Sequence, residues 1–272
     1  MCIGGCEARV RAALSRRSFF TGAAAAGFAA TAVPADAALQ TRSFSRVVDL
    51  THTMSPEFPT FMGKAGIEME REFDFRKDRF NLFWWHVVEH AGTHLDAPIH
   101  FSETGLSADQ LPVEQLVVPL AVVNVVYQAE QEADYQLSRE DLAKWEARHG
   151  RLPAGCCVAM HSGWGELATA DPARFAGRDV DGTFHFPGFS PEAAAFLIAE
   201  RQVVGIASDT MSLDCGSSSD FKTHQAWLPA GRWGLENVAN LDKVPESGAT
   251  VVVGAAKVKD ATGGLARVMA LV

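Results

Sequence analysis

The stretch His90-Ala91-Gly92-Thr93-His94-Leu95-Asp96-Ala97-Pro98-Ile99-His100-Phe101 decides how the rest of this chain is read. It gathers three of the nine histidines, with one aspartate among them. Imidazole and carboxylate so close together are a usual donor set for zinc and manganese. A helix presenting His90 and His94 is disfavoured by Gly92, Thr93 and Pro98. A strand ending in a tight loop suits these residues better. In extended chain His94 and Asp96 project from one face. Gly92 permits the turn that returns His90 to the same point, and Pro98 stiffens the exit so that His100 is held beyond them. Glu89 reads as a solvated neighbour or a supporting residue, not as a ligand.

Outward from this motif, β-branched and aromatic content predicts strands at Val47–Leu50, Leu82–Val88, Val117–Tyr127, Cys156–His161, Val203–Ala207, Thr250–Val258 and Leu265–Val272. Two helices are punctuated. Ser138 and Asp141 have capping-box spacing and Gly150 stops the first. Ser190-Pro191 opens an Ala-rich run to Arg201. The expected fold class is mixed α/β with a mainly β core. Phe83, Trp84 and Trp85 are candidate rings for a substrate wall, although alternation puts Trp84 and Trp85 on opposite faces. His52 and His161 follow or end expected strands and read as hydrogen-bonded loop histidines or as pocket neighbours. His86 reads as a strand-face residue, His149 as helix-terminal and His185 as a loop residue. Asp209, Asp214 and Asp220 read as loop-holding or supporting groups.

The motif His-x-Gly-Thr-His-x-Asp-x-Pro-x-His-Phe resembles the signature of the metal-dependent cyclase family, which includes bacterial kynurenine formamidases and isatin hydrolases. The likeness extends to Val48-Asp49-Leu50-Thr51-His52, to Phe186-Pro187-Gly188-Phe189-Ser190, to Asp209-Thr210-Met211-Ser212-Leu213-Asp214, and to His224 with Gly234-Leu235-Glu236-Asn237. The resemblance implies a β-barrel-like core flanked by helices, usually in homodimers or larger homo-oligomers. It implies His90, His94 and Asp96 on one metal, and Asp96 bridging to a second held by His224 and Glu236. His100 would be the acid/base group. The cofactor implied is a divalent metal, zinc or manganese, one or two per subunit. The expected chemistry is hydrolysis of a small cyclic or formyl amide, isatin-like or N-formylkynurenine-like, by metal-bound hydroxide. Lactone opening or polyketide-type cyclisation at the same metals is the alternative. A periplasmic metal- or ligand-binding protein without catalysis is the second.

The N-terminus reads differently from the rest. Arg16-Arg17 precedes Phe19-Phe20, an Ala- and Gly-rich run follows, and Ala35-Asp36-Ala37 has the small-x-small form that signal peptidases cut. Residues 1–37 therefore read as a twin-arginine-type signal peptide and residues 38–272 as one hydrolase domain, periplasmic or secreted. The Ala/Gly run is too weakly apolar to anchor in a bilayer. With 24 Lys and Arg against 33 Asp and Glu, the net charge of −9 argues against nucleic acid or an anionic membrane as partner. A small-molecule substrate remains. Of the cysteines beyond the signal, Cys156 and Cys157 are neighbours that rarely bridge each other, so no disulfide framework is expected with Cys215.

Overall fold

Val117–Asn124 and Cys157–His161 are nearly continuous apolar runs, the composition of strands covered on both faces. The computed structural model describes residues 43–272, and in it both runs lie in the wall of a closed barrel. The strands in chain order are β1 (Val47–Asp49), β2 (Ile67–Phe73), β3 (Leu82–Val87), β4 (His94–Asp96), β5 (Val117–Asn124), β6 (Gln136–Leu137), β7 (Cys157–His161), β8 (Gly188–Phe189), β9 (Gly205–Ser208), β10 (Trp233–Glu236), β11 (Ala249–Ala255) and β12 (Gly263–Leu271). The main sheet runs β1-β12-β11-β5-β7-β9-β10-β4, and the pairing of β4 back onto β12 closes its last seven strands into a barrel. The β5-β7-β9-β10 arc is parallel, whereas β11, β12 and β4 join antiparallel. The expected α/β fold with a β-barrel core is the one observed.

Alternation along the wall sorts its side chains. Leu120, Val122, Cys157, Ala159, Leu95, Leu235 and Val268 belong to the interior cluster. Ala121, Val123, Val158, Met160 and Ile206 face outward, beneath three principal helices. These are α1 (Arg139–His149), α2 (Pro191–Phe196) and α3 (Lys222–Trp227). The Ser138–Asp141 capping box opens α1 and Gly150 ends it, as the sequence indicates. Burying these two apolar layers supplies the main stabilisation of the domain.

Two boundaries differ from expectation. The apolar run Val117–Tyr127 leaves the sheet at Asn124, whose side-chain oxygen accepts the Val126 N–H at 3.1 Å and starts a short helix instead. The run from Pro191 to Arg201 is α-helical only to Phe196, and Leu197–Arg201 widens into a π turn that stops at Gln202 in the left-handed region. β2 has no counterpart among the expected strands. It pairs with β3 in a separate two-stranded hairpin. The expected signal peptide, residues 1–37, lies outside the described residues. Cys156, Cys157 and Cys215 are buried free thiols. Among the described residues, no helix is long and apolar enough to cross a membrane.

Candidate metal centre

The short strand β4 sits between β10 and β12, and its register builds the site. Leu95 points into the barrel, so His94 and Asp96 point outward. His94 is opposed by Glu236 on β10 and by Leu265 on β12. Asp96 is opposed by Gly234 and Gly263, so both neighbours of the carboxylate lack a side chain. Gly92 takes φ +61°, the sharp turn the motif requires. His224 comes from α3. Pro98–Phe101 forms a 3₁₀ turn with Pro98 at its start, which fixes His100.

The six side chains singled out by the sequence meet. His94 Nε2 lies 3.2 Å from Asp96 Oδ1 and 3.3 Å from Glu236 Oε2. His224 Nε2 lies 3.1 Å from Glu236 Oε1 and 3.6 Å from Asp96 Oδ2. His90 Nδ1 lies 2.7 Å from Asp96 Oδ1, and the His100 ring stacks on His90 with centroids 3.7 Å apart. The inner four are buried to 1–6 % exposure, while the His90 side chain keeps 23 %. Donor atoms of His94, Asp96 and Glu236 fall within 4.8 Å of one another, as do those of His90, Asp96 and His100. Asp96 is common to both groups. In the second group His100 stands where a ligand could, as well as where an acid/base group could.

The electrostatics of this cluster call for a cation. Burial opposes charge on His94, but Asp96 and Glu236 outweigh it and raise the imidazole to about 10. His224 is likewise lowered by burial, and Asp214, Asp96 and Glu236 lift it well above its ordinary value. Burial would raise Asp96, yet His94 and His224 hold it well below the carboxylate range. Two atoms at the centre, His94 Nε2 and Asp96 Oδ2, have no hydrogen-bond partner. An orphaned buried polar atom costs about 1–3 kcal/mol. A divalent ion coordinated by imidazole nitrogen and carboxylate oxygen would satisfy both, and this donor set suits zinc or manganese.

The histidines are held from behind. His94 Nδ1–H donates to the Gly92 carbonyl at 2.8 Å, which also accepts from Asn237 Nδ2. His224 Nδ1–H donates to Asp214 at 2.6 Å, and Asp214 in turn accepts the backbone N–H groups of Thr223 and His224. The reading of Asp214 as a supporting residue agrees with this geometry. Asp209 binds Ser162, and Asp220 lies near Ser218 and Lys222.

Phe83, Trp84 and Trp85 lie on β3, in the two-stranded hairpin apart from the barrel sheet. Trp84 and Trp85 stand on opposite faces of the β2–β3 hairpin, 59 % and 62 % exposed, and the Trp84 indole donates to Glu72. Arg71 covers Phe83. The rings beside the site are instead Phe101, 4.7 Å from His224, and Phe221, 5.9 Å from Phe101. Phe61 continues the row, 6.1 Å from Phe221 and stacked 4.4 Å from Phe184. Phe61 and Phe221 carry no signal in the sequence, because a tertiary contact alone brings them here. Phe221 takes φ +49°, uncommon for a bulky residue and a mark of local strain.

The remaining histidines go elsewhere. The His52 ring packs between Phe58 and Phe175, and its backbone N–H donates to Thr93 Oγ1. His161 ends β7 opposite Asn124. His86 is exposed on β3, His149 contacts Glu246, and His185 lies between Asp134 and Asp179.

Residues 48–215 match the family model described as "Putative cyclase". The chain is 32 % identical over 228 residues to an isatin hydrolase of Roseibium aggregatum, covering 80 % of this chain and 85 % of that protein. It is 25 % identical over 201 residues to a kynurenine formamidase of Salinibacter ruber, covering 73 % and 84 %. The solved structure of isatin hydrolase A from Labrenzia aggregata superposes with a TM-score of 0.77 at 34 % identity, covering 84 % of this chain and 93 % of that one.

Proposed function

The chain belongs to the cyclase family, and from that premise we propose that it is a metal-dependent hydrolase opening the C–N bond of a small cyclic amide of the isatin type. The observation that supports this most is the convergence of buried His94, Asp96 and Glu236, with His94 Nε2 and Asp96 Oδ2 lacking a hydrogen-bond partner. His94, Asp96, Glu236 and His224 would hold the cation, with His90 at the outer edge. When bound, a divalent cation supplies Lewis acidity and makes hydroxide available near neutral pH. Zinc and manganese both suit the donors, and the two groups around Asp96 have room for one ion or two.

The chain's own residues supply the rest. His100 is lowered to about 4, mainly by burial, so its ring is neutral at pH 7. A neutral imidazole takes a proton from the attacking water and then hands it to the departing nitrogen. The row Phe101–Phe221–Phe61, whose successive rings are tilted by 55° and 56°, offers apolar faces and edges against which a bicyclic aryl amide could pack. An N-formylkynurenine-like substrate is the second reading, favoured by the formamidase relatives. Those hydrolase relatives, spanning most of the chain, leave lactone opening, cyclisation and a non-catalytic role without a supporting observation.

Elemental analysis of the purified protein, with isatin and N-formylkynurenine assayed before and after chelation, tests this reading. Stoichiometric zinc or manganese is expected, with activity lost on chelation and restored by metal. Protein that takes up neither metal would sink the proposal. A His100→Ala protein with metal retained and full activity would remove His100 from its role.

Assembly and location follow as proposals. Met69, Phe75, Phe80, Leu82, Trp84 and Trp85 on the β2–β3 hairpin and its tip are 40–62 % exposed. Met69 and Trp85 share one face of the hairpin and Leu82 and Trp84 the other, and exposed apolar side chains clustered in this way mark a contact surface. A homo-oligomer seated on the hairpin is the reading this supports. Export by the twin-arginine route rests on Arg16 and Arg17. Replacing both with lysine should retain the protein in the cytoplasm, and unchanged export would refute it.

A further inference from the structure

His90, His94 and His224 each have a second ring nitrogen engaged, but not in the same way. His94 and His224 give Nδ1–H to a carbonyl and a carboxylate, which leaves Nε2 toward the site. His90 is turned round. Its Nε2 meets Thr262 Oγ1 at 2.8 Å, and its Nδ1 faces Asp96. The Thr262 hydroxyl has one proton, and Glu89 Oε2 lies 2.5 Å from it. A carboxylate can only accept, so Thr262 donates to Glu89 and accepts from His90 Nε2–H. The lone pair of His90 is thereby left on Nδ1, toward the site. Glu89 also accepts the Thr262 backbone N–H at 3.3 Å, which ties the hydroxyl's own residue to the same carboxylate.

Gly263 completes the arrangement. A Cβ at this position would lie 2.6 Å from His90 Cε1 and 2.4 Å from the Leu95 carbonyl oxygen. The ring of His90 therefore occupies the place a side chain on β12 would fill. Because the His100 ring stacks on His90 at an interplanar angle of 19°, whatever sets the His90 plane also sets that of His100.

We propose that Thr262, backed by Glu89 and flanked by Gly263, is a positioning residue that presents His90 to the cation through Nδ1. The proposal rests on the metal-site reading above. Thr262 stands immediately before β12, beyond the residues matched by the family model. Outer hydrogen-bond partners of this kind typically change metal affinity by about 10–100-fold when removed.

Calorimetric titration of the chelator-stripped full chain with Zn²⁺, for wild type, Thr262→Val, Thr262→Ser and Glu89→Gln, tests it. Long-range ¹H–¹⁵N spectra of the zinc-loaded, histidine-labelled protein provide a second readout. Thr262→Val should bind zinc about 10-fold more weakly or worse, Thr262→Ser should restore affinity, and Glu89→Gln should fall between. The wild-type spectrum should show a histidine coordinated through Nδ1 alongside others coordinated through Nε2. Unchanged zinc affinity in folded Thr262→Val, or coordination of every histidine through Nε2, would overturn the inference while leaving the metal site intact. If Thr262→Val does not fold, Glu89→Gln and the wild-type spectrum still decide. Wild-type protein that binds no zinc would instead remove the metal-site reading itself, and this inference with it.

Discussion

The barrel and the β2–β3 hairpin are built from similar residues put to opposite uses. In β5, β7 and β9 the apolar side chains face other parts of the same chain, inward to the barrel core or outward to the helices. In the hairpin, Met69 pairs with Trp85 and Ile67 with Val87 on one face, while Glu68 and Glu70 occupy the other with His86 and Trp84. Ile67 is buried, but Trp85 is 62 % exposed. A two-stranded hairpin is marginal in water on its own. The contrast teaches that the barrel's stability is internal, whereas the hairpin leaves Met69 and Trp85 facing solvent within this chain.

The sharpest way to test the barrel side is at Asp96, the residue shared by both donor groups. Asp96→Asn keeps the shape but removes the charge that faces His94, His224 and His90. Activity should fall at least about 10³-fold in kcat/KM, roughly 4 kcal/mol of transition-state stabilisation. Steady-state kinetics with metal present at saturation measures it. A loss below tenfold would show that the site does not depend on this carboxylate.

A second test concerns the barrel wall. Gly205 lies opposite Trp233, and a Cβ there would meet the indole at 2.2–2.3 Å. Trp233 is fully buried and its Nε1–H donates to the Gln115 carbonyl. Gly205→Ala should therefore cost about 1–3 kcal/mol by overpacking, read as a lower denaturation midpoint. An unchanged midpoint would mean that the wall is more yielding than its packing indicates.

How much of this was legible in the sequence follows the same division. The motif from His90 to Phe101, the apolar runs of β5 and β7, and the capped helix α1 all announce themselves locally, because spacing and capping chemistry act over a few residues. β2 did not, since Ile67-Glu68-Met69-Glu70-Arg71-Glu72-Phe73 carries three glutamates in seven residues and lacks a β-branched run. β10 is only Trp-Gly-Leu-Glu. Closure of the barrel depends on Gly263–Leu265 meeting His94–Asp96, a pairing that no local pattern encodes. The same holds for Thr262 behind His90 and for Phe61 and Phe221 beside the site. Residue type and spacing indicated the candidate ligands, while their neighbours are set by strand register.

The hairpin side is tested by Trp85→Glu, which places charge at the middle of its apolar face. The expected outcome is a shift toward monomer by light scattering at micromolar concentration, with the denaturation midpoint of the barrel moving by less than about 0.5 kcal/mol in equivalent stability. Wild-type protein that is already monomeric would break the proposed use of the hairpin. A large loss of stability in Trp85→Glu monomer would break the comparison itself, by making the hairpin part of the core.

One kind of ion pair occurs in both regions. On the hairpin, Arg71 and Asp74 meet at 3.1 Å with side chains 49 % and 39 % exposed, and Arg71→Ala should change stability by no more than about 0.5 kcal/mol. On the helical coat of the barrel, Glu146 in α1 grips Arg201 through two bonds of 2.6 and 2.8 Å, with both side chains largely covered and the guanidinium over Phe196. The Arg201 hydrogen bonds hold Glu146 below its ordinary value of 4.5 against the opposing effect of burial. A depressed carboxylate contributes stability that is fully present above the unfolded value and is lost as pH falls through the folded one. Glu146→Gln should thus cost about 1 kcal/mol at pH 7, and the gap to wild type should close as pH drops well below 4.5. Denaturation midpoints of both variants across this range measure it. Equal costs for the two pairs, or a Glu146 cost that does not shrink in acid, would mean that burial against the barrel does not distinguish them.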